Sequence, residues 1–323
     1  MPTMKAFTAD EVKRAKVFLA TRVASMMGRK LEEGDWTSVY CRAKDLPDVG
    51  WSNLHIDVNF EGLGLELKLL RIAGLTGKPL KSVCGTTLMH PALTRSIRID
   101  NTSRPANTVM RDVFEQYAVL VEERTNAVRT AAPRSKPDMR IGWLIWEDLL
   151  AEFLYFEEPM RAPNAKDYYA VWNETKARGV RKSSMSLWIY EKGTKQKRYS
   201  VTTSAGIKIQ PYFDVPPPND PNLYYFRVQS EPIDADTILL WVAASTAKEL
   251  KQHIGSLDKE AVSRTIIQVT TSGKRAAVPA DPNEDLAVAI PISSAAYTAL
   301  LAAWEAVSDE HRVQLLVKAL VNG

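Results

Sequence analysis

Leu54-His55-Ile56-Asp57-Val58-Asn59-Phe60-Glu61-Gly62-Leu63-Gly64-Leu65-Glu66-Leu67-Lys68-Leu69 is the stretch that decides the fold. Apolar residues alternate along both arms, which is the period of a β-strand. They are Leu54, Ile56, Val58 and Phe60, then Leu63, Leu65, Leu67 and Leu69. Glu61-Gly62 sits at the centre, and glycine supplies the positive φ that a tight hairpin turn needs. Folding about that pair sets Phe60 against Leu63, Val58 against Leu65 and Ile56 against Leu67. The other face then carries His55, Asp57, Asn59, Gly64, Glu66 and Lys68. On it Asp57 falls across from Glu66, with Cβ atoms about 4.5–5.5 Å apart. Lys68 is two residues beyond Glu66 and points the same way.

Two carboxylates and a lysine on one face form a reactive grouping. Two anionic groups at that spacing repel unless positive charge lies between them. An oxygen-seeking divalent ion such as Mg²⁺ suits the gap and keeps waters of its own. An ion held there acidifies a water and polarises a phosphoryl oxygen, and the lysine orients the water or offsets charge on the phosphate. The alternative is a solvated polar face on an ordinary antiparallel hairpin.

The spacing Asp-x8-Glu-Leu-Lys on a hairpin resembles the PD-(D/E)xK nuclease superfamily, which includes many type II restriction endonucleases. Gly64-Leu65-Glu66-Leu67-Lys68, with Ile72, Leu75, Gly77-Lys78-Pro79-Leu80 and Ser82, is similar to the active-site strand of MutH-type repair nickases. Ser103-Arg104-Pro105-Ala106-Asn107-Thr108 and Arg111 resemble MvaI-type restriction enzymes more loosely, so the likeness spans about residues 54–111. It implies Asp57 and Glu66 as metal ligands for Mg²⁺ and Lys68 as the catalytic lysine. A gapless match to the nickases puts the first acid at Asn59. Asp57 is reached by a two-residue shift, and Asn59 or Glu61 are the alternative ligands. An upstream helix often completes such a site with a further acid, for which Glu33 is the candidate; solvated loop acids are the other reading of Glu32, Glu33 and Asp35.

Outward from the hairpin, Val12, Ala15, Leu19, Val23 and Met26 fall on one helical face, with Thr8 or Asp10 as the cap. Val83 to Ile99 reads as extended structure interrupted at His90-Pro91, Asn107 to Arg129 as a helix, and Met139 to Trp146 as a strand. The order helix, hairpin, strand, helix, strand predicts an α/β fold, a restriction-endonuclease-like core with a mixed central sheet flanked by helices. That core is expected over residues 1–158. Residues 159–323 are expected to form an α+β region for DNA recognition and assembly, separate from the core or integrated with it. Glu158 to Asn164 reads as the boundary or a long loop. Leu187 to Tyr190, Leu223 to Val228 and Thr237 to Ala243 read as strands, and Thr246 to Ile254 and Ser293 to Leu320 as helices.

Candidate DNA contacts are Arg95, Arg98 and Arg104 beside the hairpin. A second set comes from the basic segment Lys176 to Arg198: Arg181, Lys182, Lys195, Lys197 and Arg198, with Trp188 and Tyr190 interleaved. Such a strip suits duplex backbone contact, and a solvated loop pair is its plain alternative.

The chain has 323 residues, 45% hydrophobic and 25% charged, which suits a globular protein with a substantial core. A net charge of +4 permits a nucleic-acid partner without demanding one. No apolar run reaches about 18 residues and no signal peptide opens the chain, so a cytoplasmic protein without a membrane partner is expected. Cys41 and Cys84 form no zinc spacing and read as buried thiols. No P-loop, Gly-x-Gly-x-x-Gly or Gly-x-Ser-x-Gly is present. The expected activity is therefore Mg²⁺-dependent hydrolysis of double-stranded DNA by a restriction enzyme. A repair nickase and a non-catalytic DNA-binding protein are the alternatives. A homodimer is expected from the match between two-fold protein symmetry and a palindromic site.

Overall fold

The computed structural model describes residues 3–25, 30–48, 56–75, 77–94, 96–177, 183–203, 207–272 and 286–305. Its elements in the first half are α1 (Ala9–Ser25), α2 (Glu33–Ala43), β1 (Val58–Phe60), β2 (Leu63–Ile72), β3 (Thr87–Met89), α3 (Ala106–Ala131), β4 (Asp138–Glu147) and β5 (Glu152–Pro159). The second half adds β6 (Tyr168–Thr175), β7 (Ser184–Glu191), β8 (Lys197–Thr202), β9 (Lys208–Asp214), β10 (Tyr224–Arg227), β11 (Ser230–Pro232), β12 (Thr237–Ala243), α4 (Ala244–Ile254), α5 (Lys259–Ser272), β13 (Ala287–Ser293) and α6 (Ser294–Glu305).

The hairpin has the register its alternation dictates: Val58 pairs with Leu65, Asn59 with Gly64 and Phe60 with Leu63. Glu61 (φ 48°) and Gly62 (φ 94°) both take positive φ, the signature of the mirror-image turns that match strand twist. β2 then pairs in parallel with β4, the chain having crossed through α3, while β4–β5 and β5–β10 are antiparallel. The result is a mixed sheet in the order β1-β2-β4-β5-β10 within an α/β protein.

Both faces of this sheet are buried, so its central strands lose simple alternation. Leu65, Leu67, Leu144, Trp146, Phe153 and Tyr155 face α1 and α2, meeting Phe7, Leu19, Trp36 and Tyr40. Ile141, Trp143, Ile145, Leu154 and Phe156 face the other way, toward Val113, Phe114 and Tyr117 of α3 and Leu187, Ile189, Val201 and Phe213 of a second sheet. That second sheet is antiparallel, in the order β3-β9-β8-β7-β6. A third, β11-β12-β13, packs with α4, α5 and α6 around Leu240, Leu250, Ile266, Ile292 and Leu300.

Two expectations are corrected. Val83 to Ile99 does not supply a third strand beside the hairpin. Leu80–Val83 is a 3-10 turn, and Thr87–Met89 leaves for the second sheet, pairing with Asp214, Phe213 and Tyr212. The cause lies in two anchors: Leu80 is fully buried, and its N–H donates to the buried Glu152 carboxylate at 2.5 Å. Glu158 and Pro159 are not a loop but the end of β5. Strands also cross the 158/159 division in both directions, β10 joining the first sheet and β3 the second. Thr8 does cap α1: Glu11 N–H donates to its Oγ1, and Thr8 N–H donates to the Glu11 carboxylate, a reciprocal capping box.

Candidate active site

Asp57, Glu66 and Lys68 come together, and they do so under cover. They are 7%, 5% and 7% exposed, which removes the solvated-face alternative. Register places Glu66 and Lys68 on the sheet face shared with Ile141 and Trp143, the face that α3 covers. Gly64, two residues before Glu66, lets the helix sit close. A Cβ there would lie 2.7 Å from Val128 Cγ2 of α3 and 2.6 Å from Met139 Sδ. One helical turn before Val128, Arg124 reaches Glu66.

Glu66 is held from two sides. Lys68 Nζ lies 2.9 Å from its Oε1, and Arg124 lies 3.1 Å from Oε2 through Nη1 and 3.2 Å from Oε1 through Nη2. Lys68 Nζ is also 3.4 Å from Oε1 of Glu33, the first residue of α2. The upstream acid thus reaches the lysine. Glu33 is also the more open member of that pair, with a third of its side chain exposed. Burial works to lower the Lys68 pKa, but Glu66, Glu33 and Asp57 outweigh it and hold the ammonium above its usual range.

Asp57 has the opposite environment. The β1 ladder begins only at Val58, and the Asp57 carboxylate takes over from the missing backbone partner, accepting Leu67 N–H at 2.6 Å. Burial, reinforced by the facing Glu66, pushes its carboxyl up to about 7. The site is therefore short of positive charge at Asp57 while Glu66 has two cations. Asn59 and Glu61, the alternative first ligands, are both exposed, Glu61 in the turn itself. Geometry thus favours Asp57 beside Glu66.

Two carboxylates are the hard oxygen donors that Mg²⁺ prefers. Asp57 and Glu66 would hold the ion, and its charge would answer the deficit at Asp57. Among the described residues, no three of His, Cys, Asp and Glu form a group that could hold a metal ion.

Sequence reasoning missed three neighbours. Arg124 lies seven residues after Tyr117 and four before Val128, on the apolar stripe of α3; a charge on a core-facing stripe was its signal. Tyr117 is buried among these groups, and burial raises its phenol. His90 is buried beside Trp143 and lies near enough to Lys68 to feel its charge. It accepts Ala92 N–H at Nδ1, and its Nε2 lies 3.1 Å from Leu69 O. Burial, with Lys68 adding to it, pushes its pKa down to about 4, so it stays neutral.

The candidate DNA contacts lie apart from this cluster in the fold. Arg98 and Arg104 line a cavity of about 290 Å³ with Asp112, Glu115 and Gln116 of α3. Arg104 is paired with Asp112 at 2.6 Å. Arg198 is engaged by Asp214 at 2.8 Å and Glu191 at 3.5 Å, and Lys197 lies over the rings of Trp188 and Tyr212. Lys195 is exposed in the β7–β8 turn. Arg95, Arg181 and Lys182 lie outside the described residues.

No family model matches the chain, nor does any curated protein or solved structure. Among the described residues, no helix is long and apolar enough to cross a membrane.

Proposed function

We propose that this protein is a Mg²⁺-dependent endonuclease of the PD-(D/E)xK kind acting on double-stranded DNA, in the manner of a type II restriction enzyme. The observation that carries the reading is the buried triad: Asp57 opposite Glu66, with Lys68 Nζ 2.9 Å from Glu66. Supporting it, the hairpin is followed by α3 and by β4 parallel to β2, so the motif lies on a mixed sheet with helices on both sides. The resemblance calls for that setting.

When bound, Mg²⁺ would supply an acidified water and a polarised phosphoryl oxygen. Asp57 and Glu66 would hold the ion. Lys68, kept charged by Glu66 and Glu33, orients the attacking water and offsets negative charge gathering on the phosphate. Glu33 fixes Lys68 from the open side, and the neutral His90 adds no competing charge. Arg98, Arg104, Lys195 and Lys197 are the proposed DNA contacts. Arg198 serves the second sheet, because two acids already hold it. A two-fold dimer would present two such sites to the two strands.

One observation favours a second reading, a non-catalytic DNA-binding protein: both Glu66 oxygens are already engaged by Arg124 and Lys68, as in a purely structural ion network. Incubation with supercoiled plasmid, Mg²⁺ or EDTA separates the readings. Discrete metal-dependent fragments support a restriction enzyme, slow nicking alone supports a repair nickase, and no cleavage with retained DNA binding supports the binder.

A further inference from the structure

The second sheet has an outer face that the active-site reading does not use. Its inner face is apolar: Leu187, Ile189, Val201, Ile209 and Phe213 are buried against α3 and the first sheet. The alternating outer residues are Tyr169 on β6, Trp188 and Tyr190 on β7, and Tyr212 on β9. All of these are partly exposed. Val171 and Met89 flank them and are 41% and 39% exposed. Among the described residues, α3 is the helix that packs on this sheet, and it does so from the inner side.

A β-bulge completes the arrangement. Ile189 pairs with Tyr199, but Tyr190 pairs with Lys197, so Arg198 is the extra residue. Without that shift Lys197 would alternate inward with Tyr199. With it, Lys197 comes up beside the aromatic row, its Nζ 4.0 Å from the Trp188 ring centre and 4.7 Å from that of Tyr212. Bulges re-aim side chains in this way. Tyr169 and Tyr190 face each other across the ladder, stacked at 5.3 Å and 15°. The acids nearest this row, Glu191 and Asp214, are both engaged by Arg198. Lys192, Lys195 and Lys208 add positive charge around the rim.

We propose that this face is a binding platform for single-stranded nucleic acid. Unpaired bases stack on exposed aromatic rings without sequence preference, and lysines track the backbone. Charge complementarity favours that occupant: Arg198 offsets part of the charge of Glu191 and Asp214, and Lys195, Lys197 and Lys208 leave the face net positive. A duplex fits the rings poorly, because its base faces are hidden inside the stack. An aromatic ladder serving only sheet stability explains the Tyr169–Tyr190 pair. It does not explain a bulge that brings a lysine to Trp188 and Tyr212, or the exposed Val171 and Met89 beside them.

The test is fluorescence anisotropy of the full chain in EDTA, so that the outcome is independent of any metal-dependent cleavage. The probes are a labelled oligothymidine about 12 nucleotides long, a duplex of equal length, and heparin as a competitor. The expected result is oligothymidine binding that depends on the aromatic row, with duplex binding unchanged by the aromatic variants. Trp188→Ala and Tyr190→Ala should each weaken oligothymidine binding about tenfold or more, and Lys197→Gln should weaken it and flatten its salt dependence. Should Trp188→Ala fail to fold by circular dichroism, Tyr190→Ala carries the test. No oligothymidine binding, or equal oligothymidine binding by wild type and both aromatic variants, would each overturn the proposal. The last result, with heparin displacing the probe, would mark the face as a general polyanion surface.

Discussion

Arg124 and Lys68 share Glu66. One comes from the helix above the sheet and one from the same strand, at 3.1 Å and 2.9 Å, while Asp57 across the hairpin has burial and a facing carboxylate instead. This uneven distribution of charge underlies the behaviour expected of the site.

Removing Glu66 strands two cations. Glu66→Ala should abolish cleavage and also destabilise the fold by about 3–5 kcal/mol, the usual cost of breaking a buried ion pair. Glu66→Gln keeps the shape and hydrogen-bonding oxygen, and should melt closer to wild type while remaining inactive. Urea unfolding of both variants checks this. Equal stability of Glu66→Ala and wild type would mean the ion network carries no weight.

Lys68→Ala should slow cleavage by on the order of 10²–10⁴, with Mg²⁺ affinity changed less than in Glu66→Gln. Calorimetric titration with Mg²⁺ beside single-turnover cleavage separates the two effects. Equal loss of metal affinity in both variants would make Lys68 structural.

Asp57 gives the protein a particular pH dependence. An unfolded aspartate titrates near about 3.9, whereas burial and Glu66 hold Asp57 at about 7 in the fold. Between those values the folded chain keeps a proton the unfolded chain has lost, so the Asp57 contribution to stability falls as pH rises from about 4 to about 7. Asp57→Asn should flatten that stretch, read from urea midpoints at several pH values. Mg²⁺ should raise the melting temperature more at pH 7.5 than at pH 5, because proton and cation compete for the same carboxylate. A slope unaltered by Asp57→Asn would show that this carboxyl is not held near neutrality.

Gly64→Val should cost about 1–3 kcal/mol, the usual penalty for overpacking. Its Cβ would press on Val128 and Met139. Because that contact sets the height of α3 over β2, the variant should also lose metal-dependent cleavage beyond what its unfolded fraction explains. Thermal melts and activity at a temperature where it stays folded are the readouts.

On the second sheet, Lys195→Gln and Lys197→Gln should each reduce the salt slope of binding, by about 0.9 for duplex and about 0.7 for single-stranded DNA. Arg198→Gln should leave the slope unchanged and lower stability instead, since Asp214 and Glu191 hold that side chain. A slope change with Arg198→Gln equal to that of the lysines would mean these ion pairs open in solution.

The hairpin register was legible because Leu63, Leu65 and Leu67 alternate cleanly and Glu61-Gly62 admits one tight turn. The helix after it and the strand Asp138–Glu147 were legible from periodicity. β5 was not, because Phe153-Leu154-Tyr155-Phe156 is buried on both faces and so shows no period. α2 hid behind acids that looked like loop charge. Glu32 and Asp35 in fact form its capping box, and Trp36, Val39 and Tyr40 its buried face. The acid, acid and lysine of the site could be read from strand geometry. Arg124 could not be assigned to Glu66, since that contact depends on how closely α3 sits over Gly64, a tertiary property.

The central claim is that Asp57, Glu66 and Lys68 form a metal-dependent nuclease site. Its most direct test is digestion of a fully sequenced phage DNA by wild-type and Glu66→Gln protein, in Mg²⁺ and in EDTA, with fragment ends sequenced. Discrete fragments sharing one end sequence, from wild type in Mg²⁺ only, are the predicted result. Intact DNA with folded wild-type protein in Mg²⁺, or cleavage by Glu66→Gln at the wild-type rate, would contradict it.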